Sequence, residues 1–104
     1  MKNVMVCCSM NGKPDAEHYW EKCKNAVSNY YLNTTQDETI RILDTFVMKD
    51  VDWNKIMFLG YSISKGLALA DEVVFMDDWE KYNGCRCEHF IAVQYGIPCV
   101  YLKS

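Results

Sequence analysis

The order of apolar runs along the chain predicts an α/β domain built on a parallel sheet. Four short runs read as strands, at residues 2–9, 39–43, 72–76 and 98–102. Each of the three intervals between them holds a stretch whose apolar residues recur at the three- and four-residue steps of a helix. Parallel neighbours need a crossover of about a dozen residues or more, and a helix is the usual one, so this alternation points to parallel pairing. The expectation is a four-stranded sheet, order 2-1-3-4, with about three helices, forming a single domain over residues 1–104.

Val4 to Cys8 is an uninterrupted apolar run, and the Ser-Met-Asn-Gly-Lys-Pro behind it reads as the loop where a buried strand ends. Pro14 suits a first helical turn, where its missing N–H would find no partner anyway, and Asp15 and Glu17 suit the positive end of the helix dipole. Trp20, Cys23, Val27 and Tyr30 then mark the inward stripe of a helix over about residues 15–31. The β-branched content of residues 39–43 gives the second strand, which ends at Asp44-Thr45, whereas residues 46–54 fit neither period. Leu59, Ile63, Leu67 and Ala70 define a second helix, in which Gly66 costs up to ~1 kcal/mol unless close packing requires it. Glu72 to Met76 is the best strand in the sequence and stops at Asp77-Asp78-Trp79-Glu80. Gly84 opens a third helix with an expected inward side of Cys87, Phe90, Ile91, Gln94 and Tyr95. Gly96 and Pro98 stop that helix, and the last strand follows.

Composition narrows the function classes. The 104 residues are 50% apolar, with 11 Lys and Arg against 14 Asp and Glu and a net charge of -3. This suffices for one core and leaves no room within these residues for a second domain. Without a basic block, a nucleic-acid polymer is not an expected partner. No run reaches the ~18 apolar residues of a membrane span, and the first is too short for a signal-peptide core, so no membrane partner is expected and the chain should stay in the cytoplasm. Cys7, Cys8, Cys23, Cys85, Cys87 and Cys99 are then expected as reduced thiols, mostly packed as small hydrophobes. Cys85, Cys87 and His89 point around a helix axis and do not converge, so neither a metal nor a cofactor is expected.

In open parallel sheets, ligands bind beyond the carboxyl ends of the strands, where the winding reverses. The first exit, Ser9, Met10, Asn11, Gly12 and Lys13, leads into a helix start and reads either as a seat for a phosphate or as an ordinary turn. The densest chemistry lies in residues 77–89. Glu88 sits about one turn into the third helix, where the dipole favours an ionised carboxylate fit to act as a nucleophile or simply as a helix-surface acid. Arg86 can pair with Glu88 or with a ligand phosphate, and Trp79 can stack on a base or cover the core. Asp44, Asp77 and Asp78 can accept hydrogen bonds from sugar hydroxyls or merely shape turns.

Two motifs carry a resemblance over nearly the whole chain. Cys-Ser-Met-Asn-Gly-Lys at residues 8–13 is one, and Leu-Ala-Asp-Glu-Val-Val-Phe-Met-Asp-Asp-Trp-Glu-x3-Gly-Cys-Arg-x-Glu-His-x8-Pro at residues 69–98 is the other. Together they resemble the small phage and prophage branch of the nucleoside 2-deoxyribosyltransferase-like superfamily. The resemblance implies a three-layer flavodoxin- or Rossmann-like fold. It also implies a homodimer or larger oligomer, a nucleoside or nucleotide ligand, and the cytoplasm of a bacterial host if the chain is phage-borne. In those enzymes an early-helix glutamate attacks the anomeric carbon; Glu88 holds that place, with Gly84, Arg86 and His89 in the same motif, and residues 9–13 fall where a 5′-phosphate is held.

One departure matters. The enzymes carry an aspartate in the preceding helix, and here that stretch reads Tyr61-Ser62-Ile63-Ser64, with no carboxylate. Asp77 or Asp78 is the expected substitute. Protonation of a leaving base is worth typically 10²- to 10⁴-fold, so the loss bears on catalysis more than on recognition. Two principal readings follow: cleavage or exchange of an N-glycosidic bond through Glu88, or a non-catalytic protein that sequesters a nucleotide-derived signal of the ADP-ribose or cyclic-nucleotide class. A third is a structural or interaction module with a vestigial pocket.

Overall fold

The structure, a computed structural model, describes residues 1–8, 15–34, 39–47 and 51–103. The chain runs β1 (Lys2–Cys7), α1 (Ala16–Thr34), β2 (Ile40–Ile42), α2 (Lys55–Lys65), β3 (Glu72–Phe75), α3 (Asn83–Gln94) and β4 (Cys99–Tyr101), with short 3-10 turns at Leu67–Leu69 and Trp79–Lys81. All pairings are parallel and the order is β2-β1-β3-β4, as the alternation predicts.

Side-chain alternation along the strands builds three layers. Val4, Val6, Val74 and Met76 pack on one face against Trp20, Cys23, Val27 and Tyr31 of α1. Met5, Cys7, Val73 and Phe75 pack on the other against Leu67 and, from α3, Cys85 and Ala92. Both faces are covered, which is why β1 and β3 read as continuous apolar runs. The register sets Cys7 opposite Phe75 and Phe75 opposite Tyr101, so these three form one row at the carboxyl edge.

The amino edge is tied shut. Lys2 Nζ donates to Glu72 Oε2 at 2.6 Å and the Tyr31 hydroxyl donates to Glu72 Oε1 at 2.5 Å, joining β1, β3 and α1. Burial alone would raise the Glu72 carboxyl, but these hydrogen bonds hold it below its ordinary value.

Two elements depart from the sequence reading. The second helix begins earlier, because Asn54 accepts a hydrogen bond from the Met57 N–H at 2.9 Å and caps it inside the stretch that fits neither period. It also ends earlier, at Lys65, so Leu67 belongs to a 3-10 turn and not to α2. On α3 the buried residues are Cys85, Glu88 and Ala92, with Ile91 packed beside them. Cys87, Gln94, Phe90 and Tyr95 are exposed, the last two by 64% and 81%. The helix turns its acid inward and leaves apolar side chains out, so an apolar stripe is a poor guide to its core face.

Candidate active site

β2 and β3 lie on opposite sides of β1, so the winding reverses there, and the crevice expected at such a point is present. It is a cavity of about 620 Å³. Its floor is made by the end of β1, Met5 to Cys8, together with Cys85 and Glu88 of α3; Ile56, Phe58, Leu59 and Ser62 of α2 form one wall and Lys81 to Gly84 another.

Glu88 is 8% exposed and is the one buried carboxylate among the described residues. Such groups are rare unless partnered, and Glu88 has two partners. The Cys7 thiol donates to Oε2 at 2.8 Å, and Ser62 Oγ lies 2.8 Å from Oε1. Ser62 Oγ is also 3.1 Å from the Leu59 carbonyl. One hydroxyl proton serves one acceptor at a time, so Ser62 donates to an ionised Glu88 and can turn to Leu59 when Glu88 carries its own proton. Burial raises the Glu88 carboxyl above its ordinary value; the Cys7 and Ser62 hydrogen bonds oppose that without cancelling it. Cys7 is itself pushed well up, first by burial, then by its contact with Cys85 and by the Glu88 charge, and so stays a neutral thiol donor.

Of the residues the sequence singles out, Glu88 and Gly84 line this cavity. Ser9, Met10, Asn11, Gly12 and Lys13 lie outside the described residues. The others are elsewhere. Asp78 has a left-handed backbone (φ 64°) and faces solvent, 3.5 Å from Lys81 Nζ, and Asp77 is half-buried beside it. Neither is in the lining of this cavity. Asp44 is exposed and shapes a turn by accepting the Phe46 N–H. Arg86 is exposed and its guanidinium donates to Asn83 Oδ1. Trp79 and His89 pack together, ring centres 4.2 Å apart, against Phe75 and Tyr101, and His89 Nε2 is 2.6 Å from the Tyr101 hydroxyl. That aromatic cluster covers the β3 and β4 end of the edge row.

Residues 61–64, where the resemblance expects a carboxylate, place Ser62 on Glu88, so the position is filled by a hydroxyl in contact with the acid. Cys7 carried a weaker signal, as a polar-capable side chain at the last position of a central strand. Lys55 and Lys81, both in the lining, had none beyond their charge. Comparison of the chain with family models, with curated proteins and with solved structures finds no match to any of them.

Proposed function

We propose that the chain recognises a nucleoside or nucleotide and cleaves or exchanges its N-glycosidic bond through Glu88. The observation that carries this reading is a buried carboxylate at the floor of a ligand-sized cavity, oriented by two hydrogen bonds. In the step, a Glu88 oxygen bonds to the anomeric carbon as the carbon–nitrogen bond breaks. The bonding pair leaves with the base, which takes up a proton; Tyr82 and Lys81 are proton-bearing groups in the lining. Water or a second base then displaces Glu88 from the sugar and restores the free carboxylate. A carboxylate close to a developing oxocarbenium ion suits this retaining course. Chromatography of the protein incubated with deoxynucleosides, deoxynucleotides and NAD tests it, and no released base from any of them removes the reading.

Ser62 has a separate readout. Its hydroxyl favours ionised Glu88, so Ser62→Ala is expected to move the acidic limb of the kcat/KM profile to higher pH, with a smaller change at alkaline pH where Glu88 is ionised in both proteins. An unmoved limb would show that the hydroxyl does not tune the nucleophile.

A second reading is favoured by one observation: Glu88 is the sole carboxylate among the described residues that line the cavity, and a hydroxyl stands where a helix aspartate is expected. The same cavity then holds a nucleotide-derived ligand of the ADP-ribose or cyclic class without turning it over. Thermal stabilisation by such ligands with no base release distinguishes it, and no stabilisation by any nucleotide eliminates it.

We further propose that the chain works as a homo-oligomer. Phe90, Val93 and Tyr95 are 64%, 55% and 81% exposed on or just beyond α3, and burying such side chains against a second copy removes apolar surface from water. A monomeric mass by light scattering at micromolar concentration would eliminate this.

A further inference from the structure

We infer that Cys7 and Cys85 are a site of reversible oxidation: hydrogen peroxide joins them as a disulfide at the floor of the cavity, and the bond takes from Glu88 one of its two hydrogen-bond donors. The bond stands on the placement of the thiols alone, whereas its effect on turnover rests on the glycosidic reading. The end of β1 brings Cys7 into one buried cluster with Cys85, from the first turn of α3. Their side chains are in hydrogen-bond contact. They are 2% and 5% exposed, but both line the cavity, so a molecule as small as peroxide has access to them. The glycosidic step uses Cys7 only as a donor to Glu88 and Cys85 not at all. Cys8, on the opposite face of the sheet, touches Cys23 of α1 in a second contact of the same kind. There only Cys8 reaches the lining, while Cys23 is packed among Trp20 and Val27, so the cavity opens onto one sulfur of that pair and onto both of the first. Among the described residues, no group of three or more Cys, His, Asp or Glu side chains is placed to hold a metal ion, which leaves oxidation as the chemistry open to two thiols in contact.

The steps balance with peroxide as the oxidant. The Cys85 sulfur attacks one peroxide oxygen as the oxygen–oxygen bond breaks; the sulfur is oxidised to a sulfenic acid, and the other oxygen takes up the thiol proton and leaves as water. Cys85 stands in the first turn of α3, where the helix dipole favours the charge that builds on sulfur in that step. Burial and the Glu88 charge keep Cys7 a neutral thiol on its own, so it follows and does not lead. Cys7 then attacks the sulfenic sulfur. Its proton already points at Glu88 Oε2 at 2.8 Å, and burial makes that carboxylate a stronger base, so Glu88 takes the proton and passes it to the departing hydroxide, which leaves as a second water. Two thiols lose two electrons and two protons, the peroxide becomes two waters, and Glu88 ends as it began. The disulfide sulfur left beside Oε2 carries no proton to donate, while Ser62 keeps its place on Oε1. The Cys7 hydrogen bond favours ionised Glu88, so its loss raises the carboxyl further and leaves less nucleophile at neutral pH. A dithiol reductant reverses the change by exchange.

The test treats the full chain with hydrogen peroxide, blocks the remaining thiols with an alkylating agent, and maps the peptides by mass spectrometry with and without dithiothreitol, while base release is measured on the same samples. The expected product is a peptide pair joined through Cys7 and Cys85, about 2 Da lighter than its two reduced parts together and split by dithiothreitol. Base release is expected to fall roughly 10-fold at neutral pH and to return with the reductant, because losing a hydrogen bond to a charged group shifts an ionisation by about that factor or more. Cys85→Ala cannot form the bond and is expected to keep its own untreated rate through the same treatment. Cys7 recovered as a thiol or as an over-oxidised acid with no joined peptide, or Cys7 joined to another cysteine, overturns the disulfide and leaves the glycosidic reading in place. A joined pair with an unchanged rate overturns the effect on Glu88. A joined pair in a chain that never releases base upholds the bond and removes the glycosidic reading, and with it the effect on turnover.

Discussion

Glu88→Gln is expected to abolish base release while making the folded protein more stable at neutral and alkaline pH. The first effect follows from the chemistry: an amide is not a nucleophile towards an anomeric carbon, and loss of a covalent nucleophile costs roughly 10³-fold or more. The geometry survives, because the amide oxygen can accept the Ser62 hydroxyl and the amide N–H can donate to the Cys7 sulfur, whose distances to Glu88 are both 2.8 Å. The second effect follows from burial, which raises the Glu88 carboxyl in the folded chain. At a pH below the unfolded value, near 4.5, both states are protonated and no penalty exists. As pH climbs through the folded value, the unfolded chain gains more from ionisation than the folded one, and stability falls by about 1.4 kcal/mol for each unit of the difference. Glutamine does not titrate, so the variant should melt above the parent at pH 8, with the gap closing towards pH 4. Parent-like turnover would place the nucleophile elsewhere, and a variant less stable at every pH would show that the ionised carboxylate stabilises the fold.

That trade explains which parts of the protein were legible in the sequence. Strand order was readable because β1 and β3 are buried on both faces, and a chain satisfies that only with continuous apolar runs and helices between them. The α1 stripe was readable for the same reason: Trp20, Cys23 and Val27 have only the sheet to face. On α3 the rule inverts, since the helix turns Glu88 into a cavity and leaves Phe90 and Val93 outside. A pattern reading assigns the inward face by hydrophobicity, so it fails where a site has been built into that face. The site itself was half legible. Glu88 is legible from its place in a helix start, but its partners come from 81 and 26 residues away in the chain, and no local pattern carries such distances. The acidic cluster at Asp77 and Asp78 stands out by composition, yet Asp78 sits in a left-handed turn and faces solvent.

Gly66→Ala is expected to damage both stability and activity, whereas Gly60→Ala, six residues earlier, should do neither. In the sequence the two glycines look alike, each interrupting a helical stretch. In the fold they differ completely. A Cβ at Gly66 would stand 2.5 Å from the Ser62 carbonyl oxygen, 2.8 Å from Met5 Sδ and 3.0 Å from Thr45 Cγ2, whereas a Cβ at Gly60 meets nothing within 4 Å. Overpacking of this kind costs roughly 1 to 3 kcal/mol, which for a chain of this size lowers the melting temperature by roughly 5 to 20 °C. Met5, Thr45 and Ser62 all line the cavity, so the relief of the clash moves its wall. The nearest backbone atom belongs to Ser62, whose hydroxyl orients Glu88, and a misplacement of about 1 Å at such a contact can cost on the order of 10²-fold in rate. Gly60 lies inside α2 and is exposed, so alanine there should stabilise by up to ~1 kcal/mol through helix propensity. Paired melts and base-release rates separate the two substitutions. Equal behaviour would mean that α2 is free to shift away from β1, and that the contact between Gly66 and the floor of the cavity does not hold Ser62 against Glu88.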